Sequence, residues 1–286
     1  MTGPVLVGVD GSEQSIVAVE SAAREARLRG VPLRVVHAFR PPALQPPLAD
    51  PQAARNTAER VTQDAAQCAR VVEPGIEVFA SVVSGDVLPV LEGESRHAAV
   101  VVVGNRGHNA FSGLLAGSTG VELAAHALGP VMVVRDRWLP QGRVALGVDG
   151  SPAGEAAADF AFAEASLRRV GLLAVHAWTP WNVEPPHPSD PSEPYAAAPG
   201  ALAAQEERLL AESLTGHCQR YPDVAVERRP VRGETREALI EASRDAQMVV
   251  VGSRGRGGFK GLMLGSVSQA LLHHAHCTVA VVPAGR

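Results

Sequence analysis

Short apolar-rich runs recur along the chain, each bounded by glycine, proline or polar residues. The runs at 5–9, 33–39, 76–83, 100–103 and 131–135 read as strands. The run at 100–103 is wholly apolar, as a parallel strand buried on both faces requires. Between the runs, apolar residues fall at helical spacing. Residues 13–29 carry Ile16, Val19, Ala23 and Ala26 on one face, Ser12 stands at the N-cap position, and Gly30 with Pro32 ends the helix. A second helix is expected over about 52–72, stopped by Pro74-Gly75, and a fourth over 118–128. A third runs from Gly85-Asp86 to about 98, although Pro89 and Gly93 oppose a regular helix there.

The same order then repeats. Residues 5–39 align without gaps on 144–178 at an offset of 139, and seventeen of the 35 paired positions are identical. Residues 100–134 align on 248–282 at an offset of 148, again with seventeen identities in 35. The Pro-rich stretches 41–51 and 180–199, read as loops, are where the extra nine residues of the second copy would fit. Two units of this length are domains, not solenoid repeats. Strands alternating with helices build right-handed βαβ units. The expected fold is therefore α/β: two tandem, doubly wound, five-stranded parallel-sheet (Rossmann-like) domains related by duplication, at 1–139 and 140–286. In such sheets a ligand lies beyond the carboxyl ends of the strands, at the switch point.

Bulk properties narrow the function. With 46 % hydrophobic and 20 % charged residues the chain can build cores. A net charge of -4 offers no footprint for nucleic acid. No run is long and apolar enough for a transmembrane helix, and no basic-then-apolar leader is visible. Three widely spaced cysteines, Cys68, Cys218 and Cys277, argue for a reducing compartment. A cytoplasmic protein is expected.

The strongest chemical signal is a loop that occurs twice: Gly104-Asn105-Arg106-Gly107, nine residues, Gly117-Ser118, and Gly252-Ser253-Arg254-Gly255, nine residues, Gly265-Ser266. Each follows a buried-strand run and enters a helix, with Ser118 or Ser266 read as the N-cap. Such a loop presents backbone N–H groups at the positive end of a helix dipole, a seat for phosphate. A glycine loop can also be only a tight connection, and duplication copies structural glycines too. Neither Gly117 nor Gly265 is followed by the lysine of a P-loop. Asp10 and Asp149 end the first strand of each copy; each can accept ribose hydroxyls or help hold a magnesium ion, or close an Asx-turn. Arg106, Arg254 and Arg256 can neutralise phosphate, while Lys260 reads as an exposed loop charge. His37 and His176, each in Val-His-Ala, read as packed, hydrogen-bonded histidines more readily than as bases. His126 and the group His273, His274 and His276 lack the partners a metal site needs. No metal site is expected, nor any catalytic group.

An aspartate after the first strand, Val-His-Ala after the second and G-x2-G-x9-G-[ST] after the fourth resemble the universal stress protein family, over nearly the whole chain. The resemblance is to the tandem, ATP-binding members of actinobacteria. It implies one ATP per domain. In the first, Gly8 and Asp10 would line the nucleoside pocket, Ala38 would lie near adenine, and Gly104, Asn105, Arg106, Gly107, His108, Asn109 and Ala110, with Gly117, Ser118 and Thr119, would hold ribose and phosphates. In the second, the counterparts are Gly147, Asp149, Ala177, then Gly252, Ser253, Arg254, Gly255, Arg256, Gly257 and Gly258, with Gly265, Ser266, Val267 and Ser268. The two sets differ at His108-Asn109-Ala110 against Arg256-Gly257-Gly258, which makes the second more cationic. The implied role is a nucleotide-dependent regulator of stress response or growth, with a regulatory protein partner and a homodimeric state. The alternatives are a slow ATP hydrolase and a nucleotide-free interaction module. The resemblance also implies that the two domains meet through their last strands.

Overall fold

The computed structural model describes residues 3–40, 51–107, 118–135, 141–179, 200–255 and 264–284. The first half runs β1 (Val5–Gly8), α1 (Glu13–Arg29), β2 (Leu33–Phe39), α2 (Pro51–Val72), β3 (Val78–Ser84), α3 (Val87–Ser95), β4 (Val100–Gly104), α4 (Ser118–His126) and β5 (Val131–Val134). The second runs β6 (Arg143–Gly147), α5 (Glu155–Arg168), β7 (Leu172–Trp178), α6 (Ala201–Arg220), β8 (Val226–Arg232), α7 (Thr235–Ala242), β9 (Ala246–Gly252), α8 (Ser266–His274) and β10 (Thr278–Val282). The strands and helices expected from the apolar pattern are all present, with ends displaced by up to three residues. Pro51 is not loop but the first residue of α2, where its missing N–H costs nothing. Pro89 falls in the first turn of α3 for the same reason, so that helix forms in spite of it. The rest of the Pro-rich stretches lies outside the described residues.

All strands join one ten-stranded sheet in the order β3-β2-β1-β4-β5-β10-β9-β6-β7-β8. Within each half every pairing is parallel. The seam is antiparallel: Val131, Met132 and Val133 face Val281, Ala280 and Val279. Each half would otherwise expose a fully apolar edge, which invites pairing; here each edge covers the other, and all of β5 and β10 is buried. One face of the sheet packs α1, α2, α5 and α6 in a single apolar cluster, and the other packs α3, α4, α7 and α8.

A second contact crosses the seam. α1 and α5 lie side by side across the pseudo-twofold axis of the duplication, and each brings a glutamate and an arginine four residues on. Arg29 pairs with Glu164, and Arg168 pairs with Glu25 and Glu164. Glu25 and Glu164 are buried, the Arg168 side chain is 8 % exposed, and the Arg29 guanidinium also lies 5.6 Å from the centre of the Phe160 ring. On the opposite face, Arg135 at the end of β5 donates to the Leu272 carbonyl at 2.6 Å, satisfying an open end of α8 in the other half.

Removing one member of this buried quartet strands charge in a low-dielectric site. Arg168→Ala is expected to lower stability by about 3–5 kcal/mol in urea unfolding. Burial, reinforced by Glu164, pushes the Glu25 carboxyl from 4.5 up to about 7, against the pull of both arginines. A carboxyl that keeps its proton longer in the folded state favours folding most below about pH 4.5, and that contribution is lost as pH rises through 7. Glu25→Gln should therefore flatten the stability profile between those values; an unaltered slope would place the proton elsewhere.

Candidate functional site

In each half the first and fourth strands are neighbours, yet the chain leaves them toward opposite faces of the sheet. That divergence opens the switch-point crevice. Its floor is made alike in both halves. After β1, Gly11 takes φ 82°, and the Asp10 Oδ1 accepts from the Ser12 amide at 3.0 Å and from its hydroxyl at 2.6 Å. The Ser12 hydroxyl oxygen in turn accepts from the Ser15 amide and caps α1. After β6, Gly150 takes φ 67°, Asp149 Oδ1 accepts from the Ser151 amide at 2.9 Å and its hydroxyl at 2.7 Å, and Ser151 accepts from Gly154. The Asx-turn is thus real in both copies, but it uses only one carboxylate oxygen. The other, Oδ2, is turned across the crevice to the glycine loop. A methyl group on Gly107 would stand 2.6 Å from Asp10 Oδ2, and one on Gly255 would stand 2.5 Å from Asp149 Oδ2. These are the two positions where absence of a side chain lets the loops close on each other.

Other expected residues have other duties. A Cβ on Gly8 would meet Leu91 at 3.0 Å, and one on Gly147 would meet Leu239 at 2.9 Å, so both glycines admit a leucine from the helix below. A Cβ on Gly104 would meet the Gln14 carbonyl at 2.8 Å, and on Gly252 the Arg254 carbonyl at 2.9 Å. Asn105 and Ser253 are buried, their amides bonded to Val134 and Val282 of the adjacent last strands. Arg106 and Arg254 are exposed at the loop. Ala38 and Ala177 lie one residue before the ends of β2 and β7, paired with Val83 and Val231. The buried Ser268 hydroxyl donates to the Gly252 carbonyl at 2.7 Å, tying α8 to the end of β9 rather than facing the crevice. The cap of α8 is Gly265, not Ser266, which with Val267 opens the helix; Gly265 itself supplies no side-chain cap. Its amide reaches the Ser253 carbonyl at 2.7 Å, and a Cβ there would stand 3.3 Å from that same oxygen. Ser118 and Thr119 likewise sit inside the first turn of α4. His108, Asn109, Ala110, Gly117, Arg256, Gly257, Gly258 and Lys260 lie outside the described residues.

In the second half a cleft of ≈ 260 Å³ adjoins this floor. It is lined by Val148, Asp149 and Ser151 from the β6–α5 connection, by Glu155 at the start of α5, and by Ser213 and Leu214 of α6. A lining that mixes Val148 and Leu214 with two carboxylates and two hydroxyls suits a sugar and base better than a phosphate. The α6 wall was not foreseen, because the spacing of that helix says nothing about which site it borders. His176, at the base of this region, is packed and hydrogen-bonded, as expected: its Nδ1 lies 2.6 Å from the Val148 carbonyl. Among the described residues no three His, Cys, Asp or Glu side chains gather as a metal cluster. No described helix is long and apolar enough to cross a membrane.

The family model described as the universal stress protein family matches residues 1–135 and again 142–283. The chain belongs to the universal stress protein family. A universal stress protein of Mycolicibacterium smegmatis is 40 % identical over 297 residues, which span 97 % of this chain and 96 % of that relative. One from Mycobacterium tuberculosis strain H37Rv is 38 % identical over 290 residues, 97 % of this chain and 95 % of its own. The crystal structure of a universal stress protein from Archaeoglobus fulgidus shares the fold, with a TM-score of 0.73 over 100 % of this chain and 97 % of that one, at 19 % identity. The actinobacterial, tandem resemblance read from the motifs therefore holds.

The contact between Asp149 and Gly255 can be tested directly. Gly255→Ala places a methyl group against the carboxylate and is expected to cost about 1–3 kcal/mol. In an Asp149→Ala background the same change should cost clearly less, so a double-mutant cycle by thermal unfolding should show coupling. Additive losses would mean that the two loops do not meet.

Proposed function

We propose that this universal stress protein binds one ATP in each half, taken as residues 1–139 and 140–286, and acts as a nucleotide-dependent regulator rather than as a fast enzyme. One observation carries the reading. At both switch points an aspartate offers a carboxylate oxygen across the crevice to a loop whose glycine leaves room for nothing larger than hydrogen. A carboxylate in that place suits ribose hydroxyls. The helix that follows the loop in the second half starts on Gly265 without a side-chain cap, which suits phosphate oxygens. The cleft beside Asp149, with Val148 and Leu214 in its lining, suits the base. Residues that would hold ATP are then Asp10 with the Gly104–Gly107 backbone and the first turn of α4, and Asp149 with the Gly252–Gly255 backbone and the first turn of α8. Magnesium, if it accompanies the phosphates, would share their charge with Arg106 and Arg254.

A regulator needs only that ATP bind two states of the protein unequally. The carboxylates assigned here are tied into turns and given to the ribose, so fast turnover is not part of the proposed role.

Native mass spectrometry of the full chain with ATP is expected to report two nucleotides per chain, together with the oligomeric state. Asp10→Ala and Asp149→Ala should each leave one nucleotide, and the double variant none. Empty protein at millimolar ATP would falsify the reading.

A further inference from the structure

The two halves repeat one floor but not one wall. β3 and β8 begin at Val78 and Val226, and α2 and α6 end at Val72 and Arg220, so both pairs keep the offset of 148. On that register Glu206 of α6 corresponds to Ala58 of α2. Glu206 is buried, and its Oε2 lies 2.6 Å from His176 Nε2. The other ring nitrogen, Nδ1, lies 2.6 Å from the Val148 carbonyl. A carbonyl only accepts, so Nδ1 carries a hydrogen. The contact on the far side also needs a proton between ring and carboxyl, which makes it a strong bond for a buried pair. In the first half His37 repeats the inner bond, to the Val9 carbonyl at 2.8 Å. Where the outer partner would stand there is the small, buried Ala58.

This makes His176 a strut. One end holds the chain at Val148, the residue before Asp149. The other end holds α6, and the residues seven and eight positions on from Glu206 are Ser213 and Leu214, on the same side of that helix and in the wall of the cleft. The separation between the Asp149 turn and the α6 wall is therefore set by two hydrogen bonds in series. In the first half the corresponding positions on α2 are the small, buried Ala58, Ala65 and Ala66.

We infer that His176 and Glu206 are positioning residues that hold the second half's cleft at fixed width, so that its nucleoside subsite is preformed while the first half's adapts to its ligand. This rests on the nucleotide reading above and adds to it an order: the second site binds more tightly. Preforming a site spares the cost of ordering it at the moment of binding.

The test uses the full chain with Asp10→Ala, so that ATP titration reads the second site, and hydrogen exchange of residues 148–154 without ATP. Glu206→Ala should weaken ATP roughly tenfold, the size of one lost strong hydrogen bond, and speed exchange of that turn. Glu206→Gln, whose amide can still bond the ring, should restore both, whereas Glu206→Met, which fills the same space without the bond, should behave like the alanine variant. Should the alanine variant fail to fold, Ala58→Glu in the otherwise natural chain gives the converse: slower exchange over residues 9–15 and tighter ATP binding in the first half. Unchanged exchange in Glu206→Ala, an equal loss in Glu206→Gln, or no change in Ala58→Glu would overturn the strut. If the natural chain binds no ATP, the nucleotide reading falls, and the exchange rates still decide whether the strut exists.

Discussion

A parallel sheet built by βαβ crossovers ends in strands whose outer backbone groups have no partner. The last strand of each half is Val131–Val134 or Thr278–Val282, with valine at six of the nine positions, and neither could stand in water without inviting another strand. The antiparallel seam between them removes both edges at once. Everything else about how the halves meet follows from that joint. Antiparallel pairing of two copies of one strand creates a twofold axis, and a twofold axis brings like residues of the duplication face to face. α1 therefore meets α5, and Glu25 meets Glu164. Two carboxylates in a buried contact repel. The arrangement is tolerable because each glutamate carries its own arginine one turn on, placed to reach across as well as back. A self-facing surface with both signs of charge on one helix complements itself, which no surface of a single sign could do.

Much of this was legible before the structure. Apolar runs marked the strands, Gly30 and Pro32 closed α1 where they were expected to, and the repeat announced two units of one kind. The limits of that reading are specific. Gly30 ends α1 at φ 64°, but its counterpart Arg169 takes φ 55° with a side chain attached. Tertiary position overrode residue preference, because α5 must turn into β7 at the same point. Ser266 looked like a cap, yet the cap is Gly265, since a backbone bond to Ser253 decided the matter and not side-chain propensity. The charged quartet was not foreseen at all. A signal for it did exist: Glu25 with Glu164 and Arg29 with Arg168 are among the charged positions identical in both copies. Few exposed charges survive a duplication unchanged, so paired survival on an otherwise apolar helix face points to burial at the axis.

The candidate site divides in the same way. The elements that the repeat keeps, Asp10 with Ser12 and Gly107, and Asp149 with Ser151 and Gly255, are joined by short-range bonds and one close approach. Such geometry is dictated locally, and sequence spacing is enough to find it. The walls are different. Ala58 and Glu206 sit in helices whose register against the sheet is set by packing over many residues. Their neighbours could not be read from spacing, and the loops entering those helices are the least alike part of the two copies.

That division bears on what a duplicated protein can do with two similar sites. Changing a floor residue threatens the turn, the helix cap and the closure of the loops together, because one carboxylate serves several of them. A wall residue touches one partner. Glu206 is bound to His176 alone among the described side chains, so gaining or losing it bears on a single distance. Divergence between the halves should then collect in the helices beside the crevice rather than in the loops beneath it. On the nucleotide reading proposed above, two sites with one chemistry and different stiffness would give a single chain two thresholds for the same ligand. The fixed half would fill first, and the adaptable half, joined to it through one continuous sheet and a buried charge contact, would be the one whose ordering reports a change.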